Sequence, residues 1–215
     1  MKKTLIITGI ILIAISTFVL VRQVYASTLI ASYSSSNYID SLAMSSGGNN
    51  IYLGQDFLVS QSNLVLDSAN FYLYKSLLPT GNAYATLYAM TGTYGSGGKP
   101  TGNALATSTT YDVTGLTGSS QTITFNFTGA NRVALTNGNY YCIEIYFTGG
   151  GSGNSIDVGY GTASMSGDYN KSTDGITFSA FQTKNIIFSV YGASSGGAVV
   201  AVTGSGQKML SAMAF

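Results

Sequence analysis

Few residues of this chain could carry acid–base chemistry. Among its 215 residues there are eight acidic residues, one cysteine and no histidine. Histidine is the commonest general base and a common zinc ligand, so its absence removes both roles. The acidic residues are Asp40, Asp56, Asp67, Asp112, Glu144, Asp157, Asp168 and Asp174. Because most of them adjoin Gly or Ser in predicted turns and none pairs with another in a motif, as a glycosidase site would need, we predict a protein without a catalytic site.

The segment "SGDYNKSTDG" is the stretch that suggests a metal ion. Asp168, Asn170 and Asp174 offer hard oxygen atoms, which calcium prefers as ligands. Their spacing is not that of an EF-hand, and an Asx-rich loop that caps its own backbone explains the same residues. A structural calcium ion is therefore one of two interpretations of this segment, and no other cofactor is expected.

Tyrosines provide the best sign of a binding function, since the chain has 16 of them. Six are predicted to lie on the strand face opposite the apolar stripe: Tyr72, Tyr74, Tyr84, Tyr88, Tyr140 and Tyr146. If their strands are neighbours, these rings form an aromatic platform of the kind that stacks against sugars. Tyrosine is also a favoured strand residue that stabilises cross-strand pairs, and the same face could serve self-association.

Two further tyrosines lie in Gly-rich segments. Tyr94 in "TGTYGSGGKPTG" and Tyr169 in "SGDYNKS" are predicted to stand on loops, where an aromatic ring packs less easily into a core. We therefore add both residues to the candidate ligand-binding set. The single cysteine, Cys142, is predicted to pack as a small apolar residue.

The elements that position these residues are predicted to be strands. Charged residues make up only 8% of the chain, and from about residue 28 to 192 short alternating apolar runs are separated by Gly, Ser, Asn and Asp. In "QTITFNFT", Ile123, Phe125 and Phe127 share one face, as in a half-buried strand. The fold class predicted is all-β: a two-sheet antiparallel sandwich, jelly-roll-like, preceded by an N-terminal export or anchor helix.

Turn signals divide the strands. Asn137-Gly138 predicts a two-residue hairpin. The only two prolines begin identical "PTGNA" pentapeptides at Pro79 and Pro100, and both copies are predicted to form turns that precede strands.

The ends of the chain differ from the middle. Residues 1–26 begin with two lysines and continue as an apolar run, which predicts a cleaved signal peptide or a retained membrane anchor. Both alternatives place the domain, residues 27–192, outside the cell or on its surface. Residues 193–215 form a Gly/Ser-rich tail whose role the sequence does not indicate.

Several motifs occur in an order that resembles a known family. "GQDF" precedes the strand "LVLDSANFYLYK", followed by two "PTG" loops and "LTNGNYYCIEIYF". This order resembles the exported β-sandwich modules called choice-of-anchor R domains, over about residues 50–191. The resemblance implies a jelly-roll-like module displayed by varied anchors, with no catalytic residues, and an architecture similar to carbohydrate-binding modules.

These observations predict an exported, non-catalytic surface module that is adhesive or glycan-binding. Its partner would be a glycan or another cell-surface polymer, with membrane attachment through residues 1–26 if they are retained. The nearly balanced charge leaves no basic patch for nucleic acid. The alternative function is that of a structural cell-surface or filament subunit that self-assembles as a homo-oligomer.

Overall fold

The computed structural model describes residues 27–46, 50–151 and 153–195. The predicted export or anchor segment, residues 1–26, and residues 196–215 of the tail lie outside this part of the chain. Within the described ranges, no helix has the length and apolar character needed to cross a membrane.

The described residues form two antiparallel sheets that pack as a sandwich, which confirms the predicted fold class. The eight-stranded sheet contains β1 (Ser27–Tyr33), β2 (Asp40–Met44), β4 (Leu64–Ser76), β8 (Gln121–Asn126), β9 (Ala134–Leu135), β11 (Ser155–Gly161), β14 (Asn185–Ile186) and β15 (Phe188–Ser194). The seven-stranded sheet contains β3 (Tyr52–Leu58), β5 (Asn82–Thr91), β6 (Lys99–Thr107), β7 (Tyr111–Asp112), β10 (Tyr140–Tyr146), β12 (Tyr169–Ser172) and β13 (Ser179–Phe181). The chain passes repeatedly from one sheet to the other, as in jelly-roll sandwiches.

The core lies between the two sheets and follows the predicted alternation. Phe71, Phe125 and Val190 from the eight-stranded sheet are buried against Leu87 and Ile143 from the seven-stranded sheet. Each strand contributes every second residue to this layer, because successive side chains of a strand point to opposite faces.

Two predicted turns have a different role in the structure. Asn137-Gly138 does form a turn, with Gly138 at φ +84°, but it leads from β9 in one sheet to β10 in the other and so makes no hairpin.

The first "PTGNA" is a turn before β5, as predicted. The second lies inside β6, where Pro100 and Thr101 pair with Met90 and Ala89, so the prediction of a repeated turn is wrong. Proline is tolerated there because β6 is an edge strand.

Candidate functional site

The six strand tyrosines do not form one platform. Tyr72 and Tyr74 lie on β4 of the eight-stranded sheet, whereas the other four lie on β5 and β10 of the seven-stranded sheet. Because each set points away from the core of its own sheet, the two sets occupy opposite faces of the sandwich. We call the outer face around Asn70, Tyr72 and Ser189 the open face, and the outer face around Asp56, Glu144 and Tyr88 the closed face.

On the closed face, a row of tyrosines crosses three neighbouring strands. The ring centroids of Tyr84 and Tyr146 are 4.5 Å apart with planes tilted by 34°, and those of Tyr146 and Tyr52 are 4.6 Å apart with a tilt of 51°. Rings this close cover much of each other's surfaces, so they do not present the broad flat faces on which a sugar stacks. Burial also raises the pKa of Tyr52 and of Tyr84.

Tyr88 is buried beneath aromatic neighbours. Its ring is within 6.4 Å of Tyr52 and 5.7 Å of Phe178, centroid to centroid, and only 7% of the residue is exposed. Tyr52 and Phe178 were not among the predicted candidates. Tyr52 could have been found from the alternation of β3, which places it on the same face as Gly54 and Asp56.

Tyr94 and Tyr140 fasten a loop to the closed face. The Tyr94 hydroxyl donates a hydrogen bond to the Ser166 carbonyl over 2.6 Å, and the Tyr140 hydroxyl donates to the Gly92 carbonyl. Their rings are 5.7 Å apart. Both hydroxyls are therefore used in holding the loop between β5 and β6.

Tyr169 is not a loop residue. It lies at the start of β12, is 4% exposed, belongs to the hydrophobic core and stacks on Phe181 with ring centroids 5.5 Å apart. The prediction of a loop residue is wrong because the Gly-rich segment ends at Gly167, whose φ of +119° lies in the left-handed region that favours glycine. Tyr169 then pairs with Gln55 of β3 and faces the core.

The metal-ligand prediction is corrected in part. Asp168 and Asn170 are buried and share the closed face with Asp56. Asp174 belongs to the turn after β12, where its Oδ1 accepts hydrogen bonds from the Ile176 and Thr177 backbone N–H groups over 2.8 and 2.7 Å. These bonds lower the pKa of Asp174, as in a capped turn. Within residues 27–46, 50–151 and 153–195, no three His, Cys, Asp or Glu side chains group as a metal site.

A second carboxylate is buried on the closed face. Glu144 is fully buried and its nearest polar neighbour is the Cys142 thiol, with Sγ 3.7 Å from Oε1. Burial raises the pKa of Glu144 to about 8 and that of Cys142 well above its ordinary value. At neutral pH both groups are therefore protonated, because each charged form would lack solvation.

The open face contains a cleft of about 300 Å³. Ser32, Ser189 and Asn70 are cross-strand neighbours on β1, β15 and β4 and form one row beneath it. The register places Tyr72 on one side of this row and Tyr191 on the other. The cleft is lined by Leu29, Ser32, Tyr33, Ser34, Ser35, Asn70, Phe71, Tyr72, Thr122, Ile187, Phe188, Ser189 and Tyr191.

The lining of this cleft has no charged side chain and combines hydroxyls and one amide with aromatic rings and the aliphatic Leu29 and Ile187. The Asn70 Oδ1 atom is shielded from solvent and has no hydrogen-bond partner among the described residues. Because Oδ1 is shielded, the amide nitrogen of Asn70, which is not among the shielded atoms, is the group of this side chain that can donate a hydrogen bond to a ligand. Of the predicted tyrosines, Tyr72 lines the cleft, whereas the Tyr74 hydroxyl is 2.7 Å from Ser41 Oγ.

Sequence reasoning missed most of this cleft. Asn70 and Tyr72 lie two residues apart on the same face of β4, but only Tyr72 was predicted to be a binding residue. Tyr191 was not among the predicted candidates. Ser32 and Ser189 became relevant only through the pairing of β1 with β15, which joins residues more than 150 positions apart.

No family model matches the chain, and neither a curated protein nor a solved structure matches it. The resemblance to choice-of-anchor R domains therefore stays a prediction from motif order.

Proposed function

We propose that this domain is an exported, non-catalytic surface module that binds a neutral glycan in the cleft of the open face. The observation that carries the proposal is the combination of a preformed concave site, an uncharged polar lining and aromatic rings at Tyr72 and Tyr191. Sites for small molecules are typically concave, with a few polar groups that fix the orientation of the ligand.

The chemistry of the lining favours sugars without charged substituents. A neutral sugar presents hydroxyls that can accept a hydrogen bond from the Asn70 amide nitrogen and exchange hydrogen bonds with Ser32 and Ser189, while its apolar face contacts an aromatic ring. No lysine or arginine lines the cleft to pair with the acid group of a uronic or sialic acid. The cleft volume of about 300 Å³ is at the lower end of the range for small-ligand sites, which favours recognition of a short segment of the glycan.

The closed face supports this function less well. Its carboxylates are shielded from solvent, and its tyrosines stack on one another or hold a loop. Buried carboxylates that no substrate reaches also support a role without catalysis.

The test is a binding screen of the full-length protein against neutral and anionic oligosaccharides, followed by titration calorimetry. We expect binding to neutral sugars, and Tyr72→Ala should weaken it at least tenfold by removing a stacking surface. Asn70→Ala should also weaken it, because a hydrogen bond in the cleft is lost.

Tyr74→Ala is the matched control, since Tyr74 lies two residues along the same strand, on the same face but outside the cleft lining. It should leave affinity unchanged. The proposal fails if the folded protein binds no neutral glycan, or if Tyr72→Ala and Tyr191→Ala both bind as tightly as the unmodified protein.

A further inference from the structure

The geometry points to a cation site on the closed face, formed by Asp56, Asp168 and Asn170 and suited to calcium. This inference concerns a different face from the glycan cleft and does not depend on it. It also differs from the predicted loop site, because Asp56 takes the place of Asp174.

The three side chains lie on two paired strands. The Asp56 backbone N–H donates to the Asp168 carbonyl over 3.0 Å, and the Asp168 backbone N–H donates to Asp56 Oδ1. Asn170 follows Asp168 by two residues on the same face and pairs with Gly54. Gly54 has no side chain, and the space over it on this face is taken by the side chain of Glu144, whose Cγ would lie 2.4 Å from a Cβ at Gly54.

In each of the three side chains, one polar atom forms hydrogen bonds that hold the side chain in place, and the other, an oxygen, has no partner. Asp168 Oδ2 accepts hydrogen bonds from the Gly97 and Gly98 backbone N–H groups over 2.6 and 3.1 Å, and Asn170 Nδ2 donates to the Asp168 carbonyl over 3.3 Å. The remaining atoms, Asp56 Oδ2, Asp168 Oδ1 and Asn170 Oδ1, have no hydrogen-bond partner among the described residues.

These oxygens are also removed from water. Asp56, Asp168 and Asn170 are each 0% exposed. Buried oxygen acceptors without a donor are rare in folded proteins and suggest an ion or water that completes them.

Charge points to a cation rather than to a neutral ligand. Neither Asp56 nor Asp168 forms an ion pair with a described lysine or arginine; the ion pair found in the described ranges joins Arg132 and Asp67, 3.0 Å apart. Two neighbouring buried carboxyl groups therefore need a bound cation or a retained proton.

The donor set suits calcium. Carboxylate and amide oxygens are hard ligands, which Ca²⁺ accepts in flexible arrangements completed by backbone carbonyls or water. Zinc would prefer thiolate or imidazole. With two carboxylates and one amide the site has fewer acidic ligands than tight calcium sites, so we expect a dissociation constant on the order of 10⁻⁴ to 10⁻³ M, as in extracellular modules.

Calcium at this site would fasten the loop between β5 and β6. Asp168 already accepts hydrogen bonds from Gly97 and Gly98 in that loop, and Gly167 packs against the Asp56 carboxylate, where an added Cβ would lie 2.6 Å from Oδ1. A ligand that binds only the folded state stabilises it by RT ln(1 + [L]/Kd), so the stability rises with the logarithm of the calcium concentration once the site is largely filled.

The test uses the full-length protein freed of metal with EDTA. Calcium is added during titration calorimetry, and terbium luminescence is excited through tyrosine, since the chain has no tryptophan. We expect saturable binding of both ions and a thermal midpoint that rises with calcium concentration. Asp56→Asn should reduce calcium affinity at least tenfold, and Asn170→Ala should reduce it without changing the charge.

Asp174→Asn is the control, because Asp174 lies in the adjoining turn with its Oδ1 bonded to backbone N–H groups. It should bind calcium like the unmodified protein. If the folded, unmodified protein shows neither heat nor terbium luminescence up to about 10 mM ion, far above the expected dissociation constant, the proposal is overturned and the carboxyl pair is held by a proton. If Asn170→Ala binds calcium as tightly as the unmodified protein does, Asn170 is not a ligand of the ion.

Discussion

The two outer faces of the sandwich use the same residue types in different ways. On the open face, Tyr72 and Asn70 line a cleft together with Ser32 and Ser189. On the closed face, tyrosines cover buried carboxyl groups and one another. The difference teaches that a tyrosine-rich strand does not by itself identify a binding surface, because loops and neighbouring rings decide whether the side chains are accessible.

The closed face should be the one that tolerates change least, and Gly54→Ala is the most severe test. An added Cβ would lie 2.4 Å from Glu144 Cγ and 2.5 Å from the Ile143 carbonyl oxygen. We expect a loss of about 3 kcal/mol or more in the free energy of unfolding, measured by urea denaturation. Gly118→Ala is the control, because nothing lies within 4 Å of its added Cβ; equal stability of both variants would contradict the packing described for this face.

Removing an aromatic ring should lower the free energy of unfolding more on the closed face than on the open face. Tyr88→Ala deletes a buried ring and should lower the free energy of unfolding by about 3 kcal/mol. Tyr72→Ala deletes a half-buried ring at the cleft and should cost about 1 kcal/mol. Thermal or urea unfolding measures both, and a larger loss for Tyr72→Ala would reverse the assignment of open and closed faces.

The buried Glu144 should make stability fall with rising pH. Its pKa is raised to about 8 in the folded state from 4.5, so the folded state holds a proton that the unfolded chain releases. The contribution is fully present below about pH 4 and is lost as pH rises through about 8. In EDTA, Glu144→Gln should flatten this decline by an amount on the order of 3 kcal/mol between pH 5 and 8.

Urea unfolding at several pH values measures this effect, and Asp40→Asn provides the control on an exposed carboxylate. A Glu144→Gln protein that loses stability with pH as steeply as the unmodified protein would show that Glu144 is not the group responsible.

The smallest effect concerns the loop on the closed face. Tyr94→Phe removes the hydroxyl that donates to the Ser166 carbonyl and should lower stability by about 1 kcal/mol. Hydrogen exchange of the Gly97 and Gly98 amides should accelerate in the same variant, since the loop is held less firmly. Tyr111→Phe is a suitable comparison because no hydrogen bond of the Tyr111 hydroxyl is found in the described chain, and its amide exchange should be unchanged.

Local patterns predicted the fold well. The alternation in β8 correctly placed Ile123, Phe125 and Phe127 in the core, because one buried face fixes which side each residue takes. Phe71 on β4 and Ile143 on β10 follow the same rule, since both are buried on the core face of their strands.

The candidate site was harder to predict because it depends on which strands are neighbours. β4 and β5 are consecutive in the chain, yet they lie in different sheets, and so Tyr72 and Tyr84 are on opposite faces. Asp56 was not predicted to be a metal ligand, because its partner Asp168 is 112 residues away in sequence. Alternation tells which face of a strand is polar, but it does not tell what covers that face.

The edge strand β6 has a consequence for how copies of this protein could associate. Pro100 has no backbone N–H, and the register of β6 against β5 shifts between Leu87 and Ala89, near Gly102 at φ +70°. An irregular edge of this kind resists the addition of a strand from another molecule. β1, at an edge of the other sheet, also has a register shift, between Leu29 and Ala31, but it contains no proline, and every one of its residues keeps a backbone N–H. Assembly by strand addition would therefore be directional, favouring the β1 side of the sandwich over the β6 side.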